Sequence, residues 1–153
     1  FDGKVEQKDS PRELYLKPMS KRVASFIGNM NFLKANIKSV SKAKVLIDID
    51  ALGQISLDKN QLPMKPSLGL VELGIRPEML EIKNKSGKKS AHSREAQIKE
   101  ISFFGDYIQY KIQLVGSDVN LVVSEMHSGQ GMEWKLDDYV FIGWVPESFV
   151  VFG

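Results

Sequence analysis

Hydrophobic and polar residues alternate with a period of two along much of the chain, which is the pattern of strands that pack on one face and meet water on the other. The clearest case is 108–114, where four apolar side chains share one face and glutamine or lysine occupies the other. Similar but shorter patterns predict strands at 45–49, 55–57, 101–103, 119–123, 140–144 and 149–152. Short strands separated by glycine or proline turns indicate a small β-barrel or sandwich.

The first 28 residues carry a different pattern, with a strand end followed by two short helices. Ser10, Pro11 and Glu13 have the spacing of a capping box with proline at the first helical position, which predicts a helix over 11–16. Apolar residues at helical spacing before a glycine predict a second helix over 20–27. These helices are too short to bury much surface, so their apolar side needs another domain.

The amino-acid composition indicates a globular domain but does not indicate a function. The 153 residues are 42% hydrophobic and 26% charged, with a formal net charge of +2, which is ordinary for a globular domain and too weak a charge to imply nucleic acid. No apolar run approaches the roughly 20 residues that cross a bilayer. The chain has no cysteine, which excludes disulfides and thiolate chemistry.

A corner is predicted at 74–78, between two strand-like runs. Pro77 disfavours the helical region for Arg76 and removes one backbone donor, so the corner should be extended. Arg76 and Glu78 would then project from the same side and meet a partner surface or each other. The alternative is a solvated turn with a weak ion pair.

This corner resembles the GxRPE corner in the C-terminal domain of the ATPase subunits of bacterial ABC importers, known as the transport-associated OB (TOBE) domain. Residues 2–7, 10–15 and 23–28 are similar in type and spacing to the segment by which the ATP-binding domain of that family enters its C-terminal domain. Near the other end, 123–125 and 142–151 resemble the closing strands of the spermidine/putrescine type.

The resemblance implies a mainly β fold, an OB-like small β-barrel of the TOBE type preceded by a short strand and two short helices. It implies a tail of the ATP-binding domain at 1–28 and a regulatory barrel domain at 29–153. The expected function is a regulatory and dimerisation domain of a polyamine importer, with ferric iron or another small solute as the alternative cargo. Expected partners are a second copy, the membrane permease subunits and the solute-binding protein, on the cytoplasmic face of the membrane.

The residues expected to form the regulatory or two-fold interface are Gly74, Arg76, Pro77, Glu78 and Trp144. A two-fold interface uses the same patch twice, so a corner and the neighbouring closing strand would suffice.

No catalytic site is predicted. Residues 87–90 have the wrong spacing for a phosphate-binding loop and lack its first glycine, and 128–131 lie between β patterns rather than opening a helix. The chain is therefore expected to be part of a longer protein, not an enzyme in itself and without a cofactor, since ATP and magnesium would belong to the missing domain.

Acid–base chemistry and metal binding are the two other functions that single residues of this sequence suggest. Asp48 and Asp50 share a strand face and would suit acid–base work or a hard cation, but no third ligand is close, which favours a solvated face. His92 and His127 lack companions at motif spacing, so no metal site is predicted.

The remaining alternative is a stand-alone OB-type binder of nucleic acid or of a small anion. The basic segment 83–94 lies near Phe103, Phe104, Tyr107 and Tyr110, and OB barrels stack bases on aromatic rings beside a positive groove. Alternation directs Phe103 and Tyr110 inward, which leaves few rings for stacking, so no nucleic-acid partner is expected.

Overall fold

The structure, a computed structural model, describes residues 29–62, 65–84, 92–126 and 134–152, and these form ten β-strands and three 3-10 helices. The strands are β1 (Asn31–Val40), β2 (Lys44–Ile49), β3 (Gly53–Asp58), β4 (Gly69–Ile75), β5 (Glu81–Asn84), β6 (Ser93–Phe103), β7 (Tyr107–Leu114), β8 (Asn120–Met126), β9 (Tyr139–Gly143) and β10 (Val150–Phe152). The 3-10 helices are Lys59–Gln61, Pro77–Met79 and Pro146–Ser148. The predicted mainly β, OB-like fold is confirmed.

The chain divides into two compact units. The first unit comprises Phe1–Ile75 and Phe149–Gly153, and the second unit comprises Arg76–Ser148. Each holds one antiparallel five-stranded sheet, in the order β10-β4-β1-β2-β3 in the first unit and β5-β9-β6-β7-β8 in the second. Five strands is the number in an OB barrel, and the edge strands β5 and β8 of the second sheet contact each other.

The two sheets repeat one pattern of connections. Strands β1 to β4 are arranged in the first unit as β6 to β9 are in the second, and β10 occupies in the first sheet the edge that β5 occupies in the second. The strand after β4 therefore completes the second sheet, while the strand after β9 returns to complete the first. Each sheet therefore has one edge strand that directly follows, along the chain, a strand of the other sheet: β5 follows β4, and β10 follows β9.

The core of each unit is built from the inward members of the alternating runs. In the first unit these are Leu33, Ala35, Ile37, Val45, Ile47, Ile49, Ile55, Leu57, Leu73, Ile75 and Val151. In the second unit they are Ile82, Ala96, Ile98, Ile108, Tyr110, Ile112, Leu114, Leu121, Val123, Val140 and Ile142. The inward face predicted for 108–114 is confirmed, because all four of its apolar residues are buried.

The prediction for Phe103 is wrong, because this side chain is 62% exposed. Its register partner is the buried Ile108, so it stands on the inward side of the sheet. Phe103 is the last residue of β6, however, and lies at the hairpin end where no further strand residue covers it.

The two longest strands, β1 and β6, each contain a β-bulge at a lysine. In β1 the register with β2 shifts between Ile37 and Ser39, and in β6 the register with β7 shifts between Ile98 and Glu100. Lys38 and Lys99 are thus the extra residues, and a bulge re-aims the side chain it carries.

The predicted strand and helices of residues 1–28 lie outside the described residues. The boundary at 28/29 therefore stays a prediction. The described part of 29–153, predicted to be one barrel domain, is divided between the two units.

Candidate functional site

The corner between the two units begins where β4 ends. Arg76 has φ −67° and ψ 142°, so its backbone is extended, as the following proline predicts. Pro77 then starts a 3-10 helix through Met79, whose N–H donates to the Arg76 carbonyl at 2.9 Å. An extended backbone through Glu78 is therefore a wrong prediction, because proline at the first position favours a helical turn as well as a strand break.

The turn separates the two charged side chains of the corner. Arg76 is only 3% exposed, and this burial lowers the pKa of its guanidinium. Glu78 lies on the exposed side of the 3-10 helix. The prediction that both project from the same side is wrong, since a helical turn rotates successive side chains by roughly a third of a circle, whereas a strand returns every second residue to one face.

A second corner repeats the first in sequence and in structure. Residues 143–147 have the same Gly-x-x-Pro-Glu pattern as 74–78, and each corner leads through a 3-10 helix into an edge strand. In the second corner the Ser148 N–H donates to the Val145 carbonyl at 2.9 Å. The shared five-residue pattern is the sequence signal from which this repeat could be predicted.

Trp144 lies inside the second corner. It follows β9, its N–H donates to the His92 carbonyl at 3.1 Å, and its side chain is 6% exposed. The indole Nε1 is buried with no hydrogen-bond partner among the described residues. This burial gives Trp144 a packing role in the second unit.

The five predicted interface residues are thus divided between the units. Gly74 belongs to the first unit, and Arg76, Pro77, Glu78 and Trp144 belong to the second. Four of the five are buried, which leaves Glu78 exposed. The predicted two-fold interface stays a prediction, and the exposed surface of the first corner consists of Glu78 and Met79.

A half-buried carboxylate of the second unit, Glu125, accepts a hydrogen bond from an indole. The Trp134 Nε1–H donates to Glu125 Oε1 at 2.9 Å, and the Trp134 N–H donates to the Tyr110 hydroxyl at 3.4 Å. Burial raises the pKa of Glu125, the Trp134 hydrogen bond opposes this, and the charge of Glu81 raises it further. Sequence reasoning missed the pair because its members lie on opposite sides of 127–133.

Stability should therefore fall with pH through the titration of Glu125. Its pKa lies above the ordinary 4.5 in the folded state, so folding favours the protonated carboxyl, and that advantage is lost as pH rises from 4.5 through the raised value. We expect Glu125→Gln, which keeps an acceptor for Trp134, to flatten this slope and to be more stable than the parent at pH 7. Urea denaturation between pH 4 and 8 measures this.

Glu125→Ala is the matched variant for that experiment. It removes both the charge and the acceptor, so the indole N–H loses its partner and the variant should be about 1 kcal/mol less stable than Glu125→Gln. Equal stability of the two variants, or a slope that survives both, would contradict the assignment.

Asp48 and Asp50, the two carboxylates singled out in the sequence, differ in their surroundings. Asp48 is half-buried on β2 and Asp50 lies exposed in the following turn. Among the described ranges no three acidic, histidine or cysteine side chains gather as metal ligands, and His127 falls outside those ranges. None of the helices in the described residues is long and apolar enough to cross a membrane.

An aromatic tip joins β6 and β7. Phe104 and Tyr107 stack with centroids 5.0 Å apart and planes 10° from parallel, and Phe104 is 51% exposed. Phe103 at this tip is exposed, contrary to the prediction that it is buried, whereas Tyr110 is 2% exposed, as predicted.

Comparison with curated proteins finds relatives named as importer ATP-binding proteins. The chain is 27% identical over 97% of its length to the spermidine/putrescine import ATP-binding protein PotA of Frankia alni, and 33% identical over 88% of its length to that of Pseudomonas aeruginosa strain UCBPP-PA14. It covers 34% and 33% of those two proteins. The chain thus spans about a third of the length of the curated relatives it matches.

Comparison with solved structures and family models places the fold. The cytoplasmic molybdate-binding protein ModG aligns with a TM-score of 0.60 at 11% identity, covering 79% of this chain and 94% of its own, which is a likeness of fold alone. The TOBE domain model matches residues 73–152, more than half of the chain, and includes both corners. By this match the chain belongs to the TOBE domain family.

Proposed function

We propose that this chain is the non-catalytic regulatory domain of the ATP-binding subunit of a bacterial spermidine/putrescine importer. The observation that carries the proposal is the similarity, over 88–99% of the chain, to eight proteins that all bear the name spermidine/putrescine import ATP-binding protein. ATP and magnesium would be bound by the remainder of the parent subunit, so this chain supplies no hydrolytic group.

The parent protein would act on the cytoplasmic face of the membrane, bound to the permease subunits and served by a solute-binding protein. A second copy of the chain would face the first across a two-fold axis. We propose that the exposed part of the first corner, Glu78 and Met79, belongs to that interface, since 74–77 are buried. Such contacts would set the separation of the two ATP-binding domains.

Reconstitution of the full-length subunit with its permease in proteoliposomes tests the function. We expect ATP-dependent uptake of spermidine or putrescine. Removal of 29–153 should retain ATP hydrolysis by the isolated subunit but lower uptake at least tenfold, because hydrolysis would no longer be coupled to the transporter. Uptake of ferric iron alone would contradict the cargo, and a reading frame without a phosphate-binding loop, with salt-dependent oligonucleotide binding, would contradict the whole proposal.

Two surface variants locate the interface in the same assay. Met79→Asp places a charge beside Glu78 in the proposed two-fold contact and should lower uptake and the dimer fraction in sedimentation. Leu136→Asp is the control, because Leu136 is also an exposed apolar residue of the second unit but lies in a turn away from the corner sequence. Equal effects of the two variants would remove the corner from the interface.

A further inference from the structure

A cavity of about 280 Å³ opens on the second unit, between the middle of β6 and the end of β7 that leads into the β7–β8 turn. It is lined by Gln97, Lys99, Gln113, Leu114, Val115, Gly116, Ser117 and Tyr139. Its volume is close to the lower end of the range for small-molecule sites, about 300–1,000 Å³. Lys99 is the one charged residue among those that line it.

The polar floor of this cavity is a row of cross-strand neighbours. Gln97 on β6 is paired with Tyr139 on β9 and with Gln113 on β7. Neighbouring side chains on one face of an antiparallel sheet stand about 5 Å apart, so one small molecule can reach several members of the row.

Lys99 lies two residues after Gln97 on the same face of β6, at the position of the bulge. As the extra residue of the bulge it has no register partner on β7, and among the described residues it forms no ion pair. Its neighbour Glu100 instead pairs with Lys111 at 3.9 Å. Lys99 therefore offers an uncompensated ammonium group to whatever occupies the cavity.

Hydrogen bonds orient the other polar groups. Gln113 Nε2 donates to the Ser117 carbonyl at 3.0 Å, and Gln97 Nε2 donates to the Asp137 carbonyl at 3.3 Å. Each amide retains a second N–H. The Ser117 Oγ accepts from the Val119 N–H at 3.0 Å, so its own hydrogen remains available to donate.

The first unit has a corresponding row of cross-strand neighbours, which carries one additional negative charge. There the cross-strand row is Leu70, Asn36, Asp48 and Gln54, again beside a bulged lysine, Lys38. Asp48 stands where Gln113 stands in the second unit. A carboxylate in that position repels an anion and offsets the lysine, so only the row in the second unit combines a lysine with neutral amides.

We propose that this cavity binds a small organic anion, whose carboxylate or phosphate group contacts Lys99 and Ser117 while its hydroxyl or carbonyl groups contact Gln97 and Gln113. The carboxylates adjacent in sequence to lining residues, Glu100, Asp118 and Asp138, are not themselves among the lining residues. The site is independent of the importer function, because it is built entirely from the second unit and its test needs no transporter.

Titration of the isotope-labelled chain by NMR at constant ionic strength tests the site. Succinate and glycerol 3-phosphate are the probes for the two anion types, and spermidine is the cationic control. We expect saturable shifts of the Gly116 and Ser117 amides with at least one anion, at a dissociation constant of about 1 mM or below, and none with spermidine. The anion that binds more tightly identifies the preferred head group.

Three variants assign the binding to the proposed residues. Lys99→Ala should weaken it at least tenfold, and Gln113→Asp, which installs the residue of the first unit, should abolish it. Lys111→Ala removes the same charge from the neighbouring strand and should change the affinity less than twofold. Absence of saturable binding to either anion, or equal effects of Lys99→Ala and Lys111→Ala, would overturn the proposal, and unchanged spectra away from the cavity would show that the variants fold.

Discussion

Replacement of Leu73 by alanine is expected to lower the free energy of unfolding by about 2–5 kcal/mol, the range for deleting a buried leucine side chain. Leu73 is fully buried in β4, where its register partners are Leu33 on β1 and Val151 on β10. The deletion leaves a void between three strands, and these cannot close it without breaking their pairing. Urea denaturation followed by circular dichroism measures the loss.

Leu70→Ala is the matched control, because it makes the same chemical change on the same strand. Leu70 is 85% exposed and is paired with the polar Asn36, so its replacement should change stability by less than about 0.5 kcal/mol. A comparable loss for both leucines would show that β4 does not carry the core of the first unit.

Gly74→Ala is expected to destabilise the first unit by about 1–3 kcal/mol through overpacking. A Cβ at this position would lie 2.9 Å from Met30 Cγ and 3.0 Å from the Phe152 ring, and closer still to Met30 Sδ. The Phe152 ring is itself packed against Phe32, with centroids 5.9 Å apart, so it has little freedom to move away. The same denaturation experiment applies, and the double variant Met30→Ala/Gly74→Ala should recover part of the loss.

Gly143→Ala is the control that the internal repeat provides, because Gly143 occupies the same place in the second corner. Its added Cβ would come no closer than 3.6 Å to another atom, the Lys83 Cε on a flexible side chain. We expect unchanged or slightly increased stability, by at most about 1 kcal/mol, since alanine also restricts the unfolded chain. Similar losses at both glycines would mean that crowding by Met30 and Phe152 is not the cause.

Much of the fold was predictable because the signal is local. The alternation in 108–114 and 45–49 identifies strands and their inward faces without reference to any neighbour, and both are confirmed. The corner at Arg76 was also predictable, because Pro77 restricts the backbone of the residue directly before it. The sites were harder: the Glu125–Trp134 bond and the row of Gln97 and Gln113 join residues from different strands, and no sequence spacing reveals such a contact.

The amino-acid sequence by itself determined most of the strands, the position of the first corner and the family, since each depends on residue periodicity, on proline geometry or on short sequence patterns. Residue periodicity did not predict β1 or most of β6. Only the tertiary structure decided which strands complete which sheet, that Phe103 is exposed although its alternation points inward, and that Arg76 is buried while Glu78 is not. These features depend on pairing between distant segments and on where a strand ends relative to its neighbours. They are determined by hydrogen bonding and burial between strands, and the residue pattern of a single strand does not specify those contacts.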